Sequence, residues 1–229
     1  MKPETALARL GEEYPAWWVD LLGEHNHVGG AGATRWLLAR AGLAPGHRML
    51  DAGAFVGAAA RTAATECGAR AVAVDLNPGF LEAGCGLPGG DKVAWMTAAA
   101  QRLPFSDAAF QSVWSLESAL PLRELSRVAA ANATLCLCTE APMDVRGGVE
   151  AFFDELGEFG WRLAAHKPLH LEALQTWRRV EAELVARRPW FEARYSKRGY
   201  LRQLDHVAGL VRSYERGEVG HGLFVMERP

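Results

Sequence analysis

The residues best suited to chemistry in this sequence lie in two short segments that each end an apolar run. Leu50–Gly57 contains Asp51, Gly53 and Gly57, and Val74–Asn77 contains Asp75. A turn that leads from a strand into a helix brings unpaired N–H groups and glycine backbone close to a ligand. An acidic residue at the end of the next strand accepts hydrogen bonds from ribose hydroxyls. These segments therefore predict a nucleoside-binding site at the carboxyl edge of a parallel sheet.

The glycine spacing bears on which nucleoside cofactor fits. The dinucleotide fingerprint G-x-G-x-x-G fails, because the frame that begins at Gly53 has Phe55 and Ala58 in the other two glycine positions. The frame that is present is G-x-x-x-G, with Asp51 two residues before the first glycine. This frame fits S-adenosylmethionine (SAM) better than a dinucleotide, although the glycine loop alone does not decide between them.

The elements that must position these residues alternate between strand and helix, which predicts a parallel sheet with right-handed crossovers. The predicted strands are His47–Asp51, Ala71–Asp75, Val93–Met96, Phe110–Ser115, Thr134–Thr139, Trp161–Ala165 and His221–Met226. The predicted helices are Ala33–Leu43, Val56–Cys67, Pro78–Gly84 (capped by Asn77), Leu122–Ala131, Val149–Phe159, Leu171–Arg187 and Tyr200–Tyr214. Gly29–Gly32 is predicted to be a flexible break after earlier helices.

The composition is that of an ordinary soluble protein. Of the 229 residues, 49% are hydrophobic and 23% charged, and the formal net charge is −2. That charge weighs against a nucleic acid or an anionic membrane as the partner. With no apolar run of about 18 residues, and no apolar signal core near the start, we expect a cytoplasmic protein. We predict one domain over 1–229: a helical cap (1–44), a cofactor-binding core (45–140) and a segment that completes the sheet and covers the substrate (141–229).

A third segment carries a family resemblance. It runs from Gln101 to Ser118 and reads QRLPFSDAAFQSVWSLES. This stretch strongly resembles class I SAM-dependent methyltransferases, whose pattern here is L-P-F-x-D-x-x-F followed by a strand with V-W-S-x-E-S. The form is similar to the branch that methylates glycine derivatives, tocopherols and quinone precursors. The resemblance covers roughly residues 25–140, and it implies a Rossmann-like three-layer α/β sandwich with a seven-stranded, mostly parallel sheet in the order 3-2-1-4-5-7-6.

The resemblance also implies roles for individual residues, with SAM as cofactor and S-adenosylhomocysteine as product. Asp51 supports the turn, and Gly53 and Gly57 flank the methionine moiety. Asp75 binds the ribose hydroxyls. The remaining predicted cofactor-binding residues are Leu76 and Asn77 beside the adenine, Gln101 and Arg102 on the loop against it, and Ser115 near the methyl donor.

Two positions depart from the family pattern. Phe55 stands where the family usually has glycine, and its ring either points away or crowds the cofactor. Ala99 stands where the family usually has an acidic or amide residue on the adenine loop, and Gln101 is the candidate to replace that contact. Two missing contacts at about 1–3 kcal/mol each would weaken SAM binding considerably.

Methyl transfer from a sulfonium is an in-line displacement, and a general base is needed only if the acceptor must lose a proton early. His27, just before the Gly29–Gly30 hinge, and Glu117 are the candidate catalytic residues; a packed loop histidine and a loop-orienting carboxylate are the competing interpretations. Glu140 is interpreted with equal weight as a residue that faces the acceptor and as a carboxylate on a solvated loop. Cys136 and Cys138 are interpreted as core residues rather than metal ligands, and no metal is predicted.

The acceptor is predicted to be a small molecule, with eight tryptophans in the chain favouring an apolar or aromatic one. Tyr14, Trp17 and Trp18 are candidates for a wall of its pocket or for core packing. Two alternatives stay open: a non-catalytic or degenerate SAM- or nucleoside-binding protein, motivated by Phe55 and Ala99, and an NAD(P)-dependent oxidoreductase. The atom that is methylated and the oligomeric state are not readable from the sequence.

Overall fold

The computed structural model describes residues 19–142 and 148–228, which form a sheet of seven strands covered by helices on both faces. The strands are β1 (Arg48–Ala52), β2 (Arg70–Asp75), β3 (Ala94–Thr97), β4 (Phe110–Leu116), β5 (Ala129–Pro142), β6 (Arg162–Pro168) and β7 (Val219–Glu227). The helices are α1 (Gly30–Leu38), α2 (Ala58–Glu66), α3 (Pro78–Cys85), α4 (Leu122–Val128), α5 (Gly148–Glu158), α6 (His170–Ala186) and α7 (Arg188–Glu215).

The strand order is β3-β2-β1-β4-β5-β7-β6, which confirms the predicted topology. The five strands from β3 to β5 pair in parallel, and β7 is antiparallel to both β5 and β6. Because parallel strands joined by crossovers end at the same edge, the residues that follow β1, β2 and β4 come together. In the antiparallel pair, Glu140 of β5 lies directly opposite His221 of β7.

Two apolar layers hold the helices on the sheet. On one face, Leu37 of α1, Ala60 of α2, Val180 of α6 and Val207 of α7 belong to a single buried cluster. On the other face, the buried cluster includes residues of α4 and α5, among them Leu125 and Leu156. The sheet is therefore the middle layer of a three-layer sandwich, as predicted. Across 19–142 and 148–228, no helix combines the length and the apolar character that crossing a bilayer requires.

Four predicted boundaries are wrong in detail. The first helix begins at Gly30, which lies inside the predicted Gly29–Gly32 break, and it ends at Leu38 instead of Leu43. Its N-cap residue is Gly29, which has a left-handed backbone conformation. The predicted helix Leu122–Ala131 stops at Val128, because Ala129 pairs with Phe110 and so starts β5. The last helix runs from Arg188 to Glu215, well before the predicted start, and turns at Ser196, which has φ 69°. The predicted helical residues before Val19 lie outside the described residues.

The close packing of α3 against the turn that follows β1 requires a glycine at position 84. A Cβ there would lie 2.6 Å from the carbonyl oxygen of Val56 and 2.6 Å from the Trp95 ring. Backbone cannot retreat as a flexible side chain can. The glycine therefore fixes the distance between α3 and the turn that follows β1.

We expect Gly84→Ala to lower the free energy of unfolding by about 1–3 kcal/mol, because the methyl group forces α3 away from the turn. Urea unfolding followed by circular dichroism measures the change. Gly86→Ala, at the end of the same helix, is the matched control: its Cβ would meet Ala83 O at 3.5 Å, an ordinary contact. Equal unfolding midpoints for the two variants would contradict the packing argument.

Candidate active site

The turn after β1 is held against the loop after β4. Gly53 has φ 77°, and a Cβ on it would lie 1.8 Å from Ser118 Oγ, so only glycine fits. Gly57, also with positive φ, is the N-cap residue of α2, and a Cβ there would collide with the Trp95 ring at 2.5 Å. The N–H groups of Gly53 and Ala54 both donate to Val74 O, at 2.8 and 2.9 Å. The turn is thereby fixed between the ends of β2 and β4.

Phe55 lies in this turn with φ 54°. Its ring is only 4% exposed and packs edge-on against Phe80 of α3, with the ring centroids 4.6 Å apart. The benzyl group is therefore part of the core beneath α3. A positive φ is unfavourable for a residue with a Cβ, and burial of the ring offsets that cost.

Asp75 ends β2 and connects the first turn to α3. Its Oδ2 accepts a hydrogen bond from Phe55 N and its Oδ1 accepts one from Asn77 N, both at 2.9 Å. Burial raises the pKa of Asp75 despite these two hydrogen bonds. Asn77 caps α3 as predicted, since its side chain accepts from Gly79 N at 2.9 Å. Leu76 between them is half exposed, so an apolar side chain borders the carboxylate.

Asp51 is a buried carboxylate that accepts a hydrogen bond from Ala60 N at 3.2 Å. Burial raises the pKa of Asp51 to about 7, and the neighbouring Asp75 adds to the increase. Asp51 and Asp75 take part in none of the salt bridges found among residues 19–142 and 148–228. The edge of the sheet therefore presents two carboxylates that a cationic ligand would complement.

The loop before β4 begins beside Asp75, because Ala98 N donates to Asp75 O at 3.1 Å. Gln101 and Arg102 are exposed on this loop. Sequence reasoning missed the pair that anchors it: Glu124 accepts from Leu103 N at 2.6 Å, and Arg127 donates to Leu103 O at 3.0 Å. The signal available for that pair was the i, i+3 spacing of Glu124 and Arg127 on α4.

A small pocket separates the first turn from the segment that precedes α1. Its lining includes Glu24, His25, His27, Asp51 and Gly53. Burial lowers the pKa of His27 and lowers that of His25 to about 4, which favours neutral rings near pH 7. His27 Nδ1 lies 3.2 Å from Val28 O and Nε2 lies 3.0 Å from Thr34 Oγ1, so both ring nitrogens have partners.

Ser115 and Glu117 lie two residues apart at the end of β4, and their surroundings differ. Ser115 is buried and its hydroxyl donates to Ala119 O at 3.2 Å, which closes the loop after the strand. Glu117 has φ 50°, and its side chain is 22% exposed. Its Oε1 accepts from Val28 N at 3.3 Å and lies 2.8 Å from His221 Nε2.

His221 belongs to a cluster that sequence reasoning did not assemble. Its Nδ1 lies 2.8 Å from Tyr214 Oη, which donates to Glu140 Oε1 at 3.1 Å. Cys138 Sγ lies 3.4 Å from His221 Nε2. Register explains the grouping, because Cys138 and Glu140 share a face of β5 and His221 is opposite Glu140. The pairing of the final predicted strand with the fifth was the one piece of information from which this grouping could have been predicted.

The structure thus brings together Asp51, Gly53, Asp75, Ser115 and Glu117 at one edge of the sheet, and His27 closes the pocket beside them. Gly57, Leu76 and Asn77 border the same turn, and Gln101 and Arg102 lie on the exposed loop next to it.

Comparison with known proteins finds a family model that matches part of this chain. Residues 50–136 match the family model described as "Methyltransferase domain". The match, over less than half of the chain, is a resemblance to a methyltransferase domain. Within it lie the turn after β1, Asp75, and the segment Gln101–Ser118 on which the sequence resemblance was based. The matched range covers the strands β1 to β4 but ends before Cys138, Tyr214 and His221.

Individual relatives extend the match. A "Probable tocopherol O-methyltransferase, chloroplastic" from Oryza sativa subsp. japonica is 33% identical over 102 residues, which are 40% of this chain and 28% of that protein. The chain therefore spans little more than a quarter of the curated relative that it matches. The cyclopropane synthase MmaA2 from Mycobacterium tuberculosis has a TM-score of 0.81 at 14% identity, with 99% of each chain covered.

A phosphoethanolamine N-methyltransferase 2 from Haemonchus contortus, solved with S-adenosylhomocysteine and phosphomonomethylethanolamine, has a TM-score of 0.79 at 15% identity. The alignment covers 99% of this chain and 59% of that one. At such identities the structures show that the fold is shared. With the family match over residues 50–136, they confirm the predicted resemblance to class I SAM-dependent methyltransferases.

The raised pKa of Asp51 predicts a pH-dependent stability. Between the unfolded pKa near 3.8 and the folded pKa near 7, the folded state retains a proton that the unfolded state has released. The free energy of unfolding therefore falls as pH rises through this window, by on the order of 1 kcal/mol per pH unit, and levels off above it.

Asp51→Asn should remove this slope and leave the domain more stable than the wild type at pH 8, as measured by urea unfolding between pH 4.5 and 8. Asp91→Asn, at an exposed carboxylate, serves as the control and should keep the wild-type slope. Parallel pH profiles for wild type and Asp51→Asn would show that Asp51 ionises without cost in the fold.

Proposed function

We propose that this protein transfers the methyl group of SAM to a small-molecule acceptor by in-line displacement. The observation that carries the proposal is the convergence of Asp51, Gly53 and Asp75 at one sheet edge within the matched methyltransferase domain. SAM supplies an electrophilic methyl group on a positively charged sulfur. The protein's contribution is to hold the donor, orient the acceptor and exclude water.

The residues present fit such a cofactor. At Gly53 a Cβ would collide with the side chain of Ser118, so the turn presents bare backbone at this position. Asp75 accepts backbone hydrogen bonds on both of its oxygens, and the carboxylate has further lone pairs for ribose hydroxyls. Asp51 is a buried carboxylate that forms no salt bridge with another described residue, which suits it to the positive charge of the methionine moiety. The relative from Haemonchus contortus, solved with S-adenosylhomocysteine, supports the assignment.

Of the two predicted catalytic residues, Glu117 has the better position. His27 is buried, and both of its nitrogens have partners. Glu117 is partly exposed at the end of β4 and contacts His221, so it can receive a proton or orient an acceptor at that edge. Its carboxylate fits a polar group of the acceptor better than an apolar one.

The acceptor's chemical class is part of the proposal. Half of the residues that line the described pocket are polar, among them Glu24, His25 and Asn26. The predicted aromatic wall of Tyr14, Trp17 and Trp18 lies outside the described residues. We therefore favour a small acceptor with a polar reacting end, while an apolar or aromatic body stays a prediction, as do the cytoplasmic location and the absence of nucleic-acid partners.

The second candidate is a protein that binds SAM or a related nucleoside without catalysis. Phe55 and Ala99 favour it, since both replace residues that the family pattern uses around the cofactor. The two candidate functions predict different changes in cofactor affinity when Phe55 is replaced by the glycine that the family usually has.

Titration calorimetry with S-adenosylhomocysteine, with NADH as the comparison ligand, tests the cofactor. We expect micromolar binding of the former and none of NADH. Asp75→Ala should weaken binding at least tenfold, because the ribose loses a charged hydrogen-bond acceptor. Asp91→Ala should bind normally. If the wild type is folded and binds no S-adenosylhomocysteine, the proposal fails; tight NADH binding would instead support an oxidoreductase.

Phe55→Gly separates enzyme from degenerate binder. Its ring packs on Phe80 and not in the turn, so the enzyme proposal expects affinity for S-adenosylhomocysteine to change less than threefold while stability falls through loss of core packing. Calorimetry below the unfolding midpoint measures the affinity, with Phe80→Leu as the control for lost packing. A tenfold gain in affinity would show that Phe55 obstructs the cofactor and would favour the second candidate.

A further inference from the structure

Three side chains of different chemistry converge at the ends of β4, β5 and β7. They are Glu117, Cys138 and His221, and this is the group with metal-ligand spacing that the described parts of the chain contain. The separations are 2.8 Å from Nε2 to Oε1, 3.4 Å from Nε2 to Sγ, and 3.9 Å from Sγ to Oε1. Pairs of ligand atoms around tetrahedral zinc, with bonds of about 2.0–2.3 Å, are about 3.3–3.6 Å apart. Shifts of about half an ångström would suffice.

The hydrogen-bond chain behind His221 orients its ring. Tyr214 Oη donates to Glu140, so towards His221 Nδ1 it acts as the acceptor, and Nδ1 carries the proton. Nε2 of the neutral ring then directs a lone pair at the Glu117 carboxylate. Two electron pairs 2.8 Å apart repel each other unless a proton or a metal cation lies between them. Histidine ligands of metals characteristically have such a partner on the other nitrogen.

The thiol of Cys138 favours a metal over a shared proton. A proton needs only Glu117 and His221, whereas a cation would also be contacted by Sγ, which lies 3.4 Å from Nε2 and 3.9 Å from Oε1. Two anionic ligands and a neutral imidazole also balance a doubly charged cation, which keeps this largely buried site electrically neutral. A thiolate, an imidazole and a carboxylate together suit zinc and related divalent ions.

We propose that Glu117, Cys138 and His221 bind one divalent cation of the zinc class, with a fourth coordination position that holds a heteroatom of the methyl acceptor. His221 and Cys138 are buried, while Glu117 is partly exposed, so the site opens at the edge where Ser115 and Gly53 lie. Three protein ligands and one open position are the usual arrangement of catalytic zinc. The acceptor's role rests on the proposed function, whereas binding of the cation does not.

The test is titration of the purified, chelator-treated protein with Co²⁺, followed by absorption spectroscopy in the absence of any SAM analogue. We expect one equivalent to bind with a thiolate-to-cobalt charge-transfer band, and Zn²⁺ to displace it. Cys138→Ser should lose that band. Cys136→Ser, two residues earlier on the same strand, and Cys85→Ser, at an exposed thiol, should keep it.

Tyr214→Phe provides a second variant that leaves all three ligands in place. It should keep the band and weaken cobalt binding by about 10–100-fold, because the ring of His221 loses its orienting partner. The proposal is overturned if folded wild type binds no cobalt, or if the band persists in Cys138→Ser. Calorimetry with S-adenosylhomocysteine on the metal-free protein separates this failure from failure of the methyltransferase assignment.

Discussion

Burial of the carboxylates of Asp51 and Asp75 is the constraint around which the candidate site is organised. They end neighbouring parallel strands, and burial raises the pKa of both. Their hydrogen bonds come from backbone N–H groups of the turn, α2 and α3. The turn is therefore ordered by two carboxylates that form no salt bridge with another described residue. This arrangement favours a bound cationic ligand over an empty site.

The opposite side of the site follows a different principle. Glu117, His221, Tyr214 and Glu140 form a continuous chain of short contacts, so polar groups at the ends of three strands satisfy one another. Burial and then Glu140 raise the pKa of Tyr214, which keeps its proton in place and the direction of the chain fixed. This edge of the sheet therefore has two chemically distinct halves. One is a polar cluster whose groups contact one another, and the other is a turn whose carboxylates form no salt bridge with another described residue.

The sequence was sufficient for the sheet order and for the half of the site built by local segments. Asp51, Gly53 and Asp75 lie within 25 residues of one another, and strand-end geometry brings such residues together in any parallel sheet of this order. The cluster around His221 could not be derived in the same way, because it depends on the register of β7 on β5, between residues about 80 apart. The start of β5 at Ala129 was missed for a related reason: an alanine-rich stretch suits a helix, and pairing with β4 overrode that preference.

The position of β7 has a consequence for how the chain is made. The last strand in sequence lies between β5 and β6, and its antiparallel pairing with β5 runs from Thr134 to Pro142. During synthesis, β5 therefore presents an unpaired apolar edge until β7 leaves the ribosome, and such edges recruit other chains. Because His221 is part of that strand, a nascent chain can assemble the half around Asp75 early but completes the other half only after β7 has been synthesised.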